Sequence, residues 1–178
     1  MAGETSDGER GRTMVDQAAA REIFEHELAA LTDAEEKTAE VLGKIVPQIH
    51  SLKLQQLIAN YQQVSTGQVK RLADIFKLLK VTPQKAPSVG MDGLIAEFSD
   101  FVEAETPSAI GYDVCAAGFA AKTSAYQSAC YKYLNGLANA SNNNSCAILV
   151  YDSQTEERDM IQNVDRLFVD LYHDLASG

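Results

Sequence analysis

Apolar residues recur at steps of three and four through four long stretches of this chain, a spacing that belongs to amphipathic helices and to little else. In the first stretch, a helix expected over residues 16–50, the face is Phe24, Leu28, Leu31, Glu35, Thr38, Leu42 and Ile45, with Pro47 placed to kink or end it. In the second, over 52–79, it is Leu54, Ile58, Tyr61, Ser65, Gln68, Leu72, Ile75 and Leu79. Ile110, Val114, Ala117, Ala121, Ser124, Gln127 or Ser128, Tyr131 and Leu134 mark a third long helix over 108–138. Val150, Gln154, Glu157, Ile161, Val164, Phe168, Leu171 and Leu175 mark the last, over 146–175. A shorter helix, over 91–104, shows Met91, Leu94, Ile95, Phe98, Phe101 and Val102 on one face.

The connections are legible too. Residues 81–89 hold Pro83 and Pro87 and no periodicity. Thr106-Pro107 has the order of an N-cap followed by proline at the first helical position. Residues 139–145 are rich in Asn and Ser and predict a polar loop. Residues 1–14 carry Gly, Ser, Thr and charge without periodicity and predict a disordered tail before one domain over 15–178. Long helix pairs separated by the stretch 82–107 predict an all-α, ferritin-like four-helix bundle, with an additional short helix in the crossover between the two pairs.

A net charge of -10 opposes binding to nucleic acid phosphates. No stretch reaches the ~20 apolar residues that span a bilayer, and residues 1–13 lack the apolar core of a signal peptide. The cysteines, Cys115, Cys130 and Cys146, form no CxxC pair, so neither a disulfide framework nor a zinc site is expected. These features predict a cytoplasmic protein. No Cys or Ser has a histidine at helical spacing, so nucleophilic catalysis is not supported.

Glu35, Glu97 and Glu157 each fall on or beside an apolar face. Burying an unpaired carboxylate costs several kcal/mol, and inward carboxylates from several helices of a bundle usually hold a metal. Glu36 and Glu156 stand beside two of them, and a small error in helical phase would exchange the members of each pair. Counting the short helix as the third, the middles of helix two (52–79) and helix four (108–138) supply Tyr61, Ser65, Gln68, Ser124 and Gln127 rather than carboxylates or imidazoles. His26, His50 and His173 lie near helix ends.

Four segments together are similar to the YciE/YciF-like ferritin-like proteins: residues 27–35, 67–72, 91–97 (Met-Asp-Gly-Leu-Ile-Ala-Glu), and the pair Glu156-Glu157. The resemblance extends over about residues 20–175 and implies a bacterial, stress-associated, dimeric bundle, usually with a di-metal centre. By position, Glu35, Glu97 and Glu157 match the family's metal-ligand glutamates. The His and Glu that the family carries on helix two fall at Tyr61 and Val64. Its Glu-His-Tyr-Glu on helix four falls at Ser124-Ala125-Tyr126-Gln127.

With those ligands replaced, the expectation is a non-catalytic bundle protein with a degenerate di-metal site and no required cofactor. A second reading places one divalent ion, weakly held, on Glu35, Glu97 and Glu157, with a residual iron or manganese storage or redox role. A third is a helical interaction module whose small residues Ala116, Ala117, Ala120 and Ala121 pack against a partner. A homodimer without nucleic acid or membrane contacts is the expected assembly, and the other protein partners are unassigned.

Overall fold

A computed structural model of the chain describes residues 7–83 and 86–177, with side chains from residue 17 onward. Five α-helices follow one another: α1 (Asp7–Ile45), α2 (Leu52–Leu79), α3 (Val89–Glu105), α4 (Ala109–Ala140) and α5 (Asn144–Ser177). No strand occurs among the described residues. α1 packs on α2 and α4, and α5 packs on α4 and α2, so α1 and α5 lie on one diagonal of the bundle and α2 and α4 on the other.

The chain direction of each helix follows from two apolar clusters. One gathers Phe24 and Leu28 of α1, Leu72 and Ile75 of α2, Leu134 and Ala138 of α4, and Cys146 and Val150 of α5. The other gathers Leu42 and Ile45, Leu54 and Ile58, Ala116 and Ala120, and Val164 and Leu171 of the same helices. α1 and α5 therefore run from the first cluster to the second, and α2 and α4 run back. Two parallel helices joined by a connection holding α3 give the ferritin-like crossover predicted from the sequence.

Local chemistry fixes the joints. Pro47 ends α1 in a short 3₁₀ turn, Val46–Gln48, since it has no N–H to continue an α-helical ladder. Ser51 caps α2 through its side chain. The buried carboxylate of Asp113 on α4 accepts from the N–H groups of His50 at 2.9 Å and Ser51 at 2.6 Å, tying this turn to the opposite hairpin. Asp113→Ala leaves both N–H groups without that acceptor. Urea unfolding should show a loss of about 3 kcal/mol; a change within error would mean that water replaces the carboxylate fully. The crossover is held where Asp33 accepts from the Ser88 N–H at 2.7 Å and the Ser88 and Tyr126 hydroxyls meet at 3.0 Å. Gly90 lets the start of α3 sit on the Tyr126 ring, where a Cβ would come within 2.7 Å.

Three boundaries differ from expectation. α1 starts at Asp7, so the limit drawn at residue 14 falls inside the helix. Once a helix is nucleated, each further residue adds one hydrogen bond, and no proline stands in 7–14. Residues 1–6 of that expected tail lie outside the described residues. Thr106 closes α3 with a left-handed backbone (φ 44°), and the cap of α4 is Ser108, whose hydroxyl accepts from Gly111 N–H. The expected loop 139–145 shrinks to residues 141–143. Asn135 bridges that turn by donating to the Ala147 carbonyl at 2.7 Å, and Asn139 donates back to Asn135. These bonds satisfy asparagine side chains that would otherwise compete with the helix.

Candidate functional site

Between the two apolar clusters lies a buried polar layer. It contains Glu35 and Thr38 of α1, Ser65 and Gln68 of α2, Ser124 and Gln127 of α4, and Ser153, Gln154 and Glu157 of α5, all with little or no exposure. Tyr61 and Tyr131 border it from opposite clusters. The phase of the helices selects Glu35 over Glu36 and Glu157 over Glu156.

Each glutamate has one serine, one glutamine and one tyrosine for neighbours. Glu35 faces Ser65, Gln127 and Tyr131. Glu157 faces Ser124, Gln68 and Tyr61. The tyrosine contact at Glu157 is a hydrogen bond, with Tyr61 Oη 2.9 Å from Glu157 Oε2. Both oxygens of Glu35, Glu157 Oε1, the hydroxyls of Ser65, Ser124 and Tyr131, and Gln68 Oε1 are buried without a hydrogen-bond partner among the described atoms. Burial pushes Glu35 well above the usual carboxylate range, and the neighbouring Glu157 adds to the effect. Burial raises Glu157 to about 7, against the lowering effect of Tyr61, Gln68 and Ser124. The phenols of Tyr61 and Tyr131 are likewise pushed well up, first by burial.

A second cluster seals the layer. Arg71 pairs with both oxygens of Glu156 at 2.8 Å, and its Nη1 donates to Ser153 Oγ at 2.6 Å. Gln68 Nε2 donates to Glu156 Oε2 at 3.1 Å. The cation is thus committed to Glu156. The sequence carries no strong signal for this bidentate pair, because Arg71 is half-buried beside its seam rather than on it.

Glu97 does not join the layer. Its side chain is 59% exposed and ion-paired with Lys122. It borders a surface pocket of about 230 Å³ between α3 and α4, lined mainly by Leu94, Phe98, Phe101 and Phe119. α3 packs on the outside of the bundle, so a residue at the edge of its apolar face points to solvent. The expected trio of Glu35, Glu97 and Glu157 therefore reduces to a pair. Two positions aligned with family ligands also turn away from the interior: Val64 is half-buried and Ala125 is exposed. The inward pairs are Ser65 with Gln68 and Ser124 with Gln127, each at i, i+3. Both pairs share a Ser-x-x-Gln pattern and occupy the face positions read from the sequence.

A di-metal carboxylate centre takes about four carboxylates and one or two imidazoles. This layer offers two carboxyl groups among neutral hydroxyls and amides. His26, His50 and His173 are exposed. Among the described residues, no group of three or more His, Cys, Asp or Glu is placed to hold a metal ion. The donor set does not fit such a centre.

No described helix is long and apolar enough to cross a membrane. The chain matches no curated protein. Its fold is similar to that of the E. coli stress protein YciF, with a TM-score of 0.81 and 22% identity over 86% of this chain and 97% of that one. It is also similar to YcfI from Rhodopseudomonas palustris, with a TM-score of 0.79 and 21% identity over 82% of this chain and 92% of that one. Residues 19–175 match the family described as "Domain of unknown function (DUF892)". With this match over most of its length and with a YciF-like bundle, the chain belongs to the DUF892 family of YciE/YciF-like proteins.

Proposed function

We propose that this chain is a non-catalytic, stress-associated bundle protein in which a neutral hydrogen-bonded layer stands where a metal centre would otherwise lie. The observation that carries the proposal is the inward set itself: Ser65, Gln68, Ser124 and Gln127 face Glu35 and Glu157, and none of the four brings the charge of a carboxylate or the nitrogen of an imidazole. Glu97, needed for the single-ion alternative, is held at the surface by Lys122. The description of YciF as a stress protein and the structural role offered in that of YcfI support the same reading. The expected working form is a cytoplasmic homodimer.

Elemental mass spectrometry on untagged protein, after dialysis against iron or manganese, should find near zero metal per chain. A stoichiometry of one or two, retained through gel filtration, would overturn the proposal. Sedimentation of the same sample should report the mass of a dimer.

A further inference from the structure

Tyr61 has one hydroxyl proton and two acceptors. Its oxygen lies 2.7 Å from Gln127 Oε1 and 2.9 Å from Glu157 Oε2. At the far end of the same amide, Gln127 Nε2 reaches Thr38 Oγ1 at 3.2 Å, and Thr38 Oγ1 lies 2.8 Å from the Ala34 carbonyl. These contacts form a single string from α5 through α2 and α4 to α1. One proton cannot serve two acceptors, so the string has two self-consistent polarities. In the first, Glu157 is a neutral acid donating to Tyr61, Tyr61 donates to the Gln127 carbonyl, Gln127 donates to Thr38, and Thr38 donates to Ala34. In the second, Tyr61 donates to Glu157, which is ionised or carries its proton on Oε1, and the Gln127 amide is turned end for end, with Thr38 donating to the amide oxygen and giving up Ala34.

The surroundings decide between them. Glu157 is fully buried, its second oxygen makes no hydrogen bond, and the Ser124 hydroxyl and Gln68 amide that face it are neutral. Glu35 faces it from α1 with neither oxygen bonded, so the nearest ionisable neighbour is another acid. On α5, Glu156 adds negative charge, and the Arg71 guanidinium from α2 is already engaged by it in a bidentate pair. From α4 come only the neutral groups of Ser124, Gln127 and Tyr131. An ionised Glu157 would be a buried charge without a cation of its own, among the costliest arrangements in a protein interior. The first polarity also keeps the Thr38 bond to Ala34.

We infer that Glu157 acts as a neutral acid, donating its proton to Tyr61 and polarising the string from α5 to α1. The inference rests on the metal-free reading of the layer and deepens it: the occupant of the site is a proton, which a metal would have to displace.

Infrared spectra of the full chain carrying ¹³C-labelled glutamate test it at about pH 6, where exposed glutamates are ionised. The expected result is an isotope-shifted carbonyl band of a neutral carboxylic acid that survives Glu35→Gln and vanishes in the Glu35→Gln/Glu157→Gln double variant. Labelled glutamate found only in carboxylate bands would overturn the inference, as would an acid band lost with Glu35→Gln alone. Tyr61→Phe gives a reading that does not depend on the folding of the glutamine variants. The acid band should persist but shift, because the Glu157 hydroxyl loses its acceptor; a band appearing first in that variant would mean Glu157 was ionised. Metal content of the same samples separates the failures. Ionised Glu157 without metal refutes this inference alone, whereas bound metal refutes the reading beneath it.

Discussion

A chain carrying Ser65→Glu, Gln68→His, Ser124→Glu and Gln127→His is expected to hold about two divalent ions, against near zero for the unaltered sequence. Di-metal bundles take one glutamate from each of two helices and a Glu-x-x-His pair from each of the other two. Here Glu35 and Glu157 already stand on the diagonal pair α1 and α5. The Ser-x-x-Gln pairs stand on the other diagonal, α2 and α4, at the matching i, i+3 spacing. The four changes supply two carboxylates and two imidazoles at positions that are already buried. Without metal the variant should melt well below the parent, because its added polar groups are unpaired. Added manganese or iron should raise its melting temperature by mass action. Elemental analysis and melting curves with and without chelator decide it. A folded variant that takes up no metal would mean that these side chains do not converge as their placement indicates.

The second large effect concerns pH. The folded-state pKa values of Glu35 and Glu157 lie above that of an exposed glutamate, so both groups stay protonated in the folded chain after they have ionised in the unfolded one. Stability is therefore greatest below the unfolded value of about 4.3 and is lost as pH rises through the folded values. For Glu157 that window ends at about 7. With ~1.4 kcal/mol lost for each pH unit between the unfolded and folded values, Glu157 alone should cost roughly 4 kcal/mol across the window, and Glu35 adds a loss of the same sign. In urea unfolding, Glu35→Gln/Glu157→Gln should match the parent to within about 1 kcal/mol at about pH 4 and exceed it by at least roughly 4 kcal/mol at about pH 8. Taking the difference between the two proteins cancels the titration of every other group. Equal pH profiles would show that the carboxyls are not held neutral by the fold.

The bundle was legible because its period was unbroken. Each named face residue of α1 from Phe24 to Ile45 is buried, and α2 is buried from Leu54 to Ile75. The polar layer was legible for the same reason: Tyr61, Ser65, Gln68, Ser124 and Gln127 occupy face positions and are inside. Glu97 was misplaced because α3 is one-sided. Its apolar face meets mainly α4, leaving Phe101 exposed and Glu97 at the rim. Asp113 was missed because the face of α4 runs through Asp113, Ala116 and Ala120, one residue earlier than Val114 and Ala121 imply. In an Ala-rich helix, residues too small to mark a face leave the phase loose. The need for an acceptor at His50 and Ser51 becomes evident only when the two hairpins are brought together.

The polar layer also acts as a fiducial mark for the assembly of the helices. Seams made only of leucine and alanine can slide past one another by a turn, exchanging one apolar contact for another at small cost. Here a slip of one turn along α5 would move Glu157 off Tyr61 and into the company of Ile58 and Ala120. It would also break the bonds that Gln68 and Arg71 of α2 make to Ser153 and Glu156. Misaligned packings lose several bonds together, while the native alignment keeps them all, so the band of polar residues lets the chain count its turns.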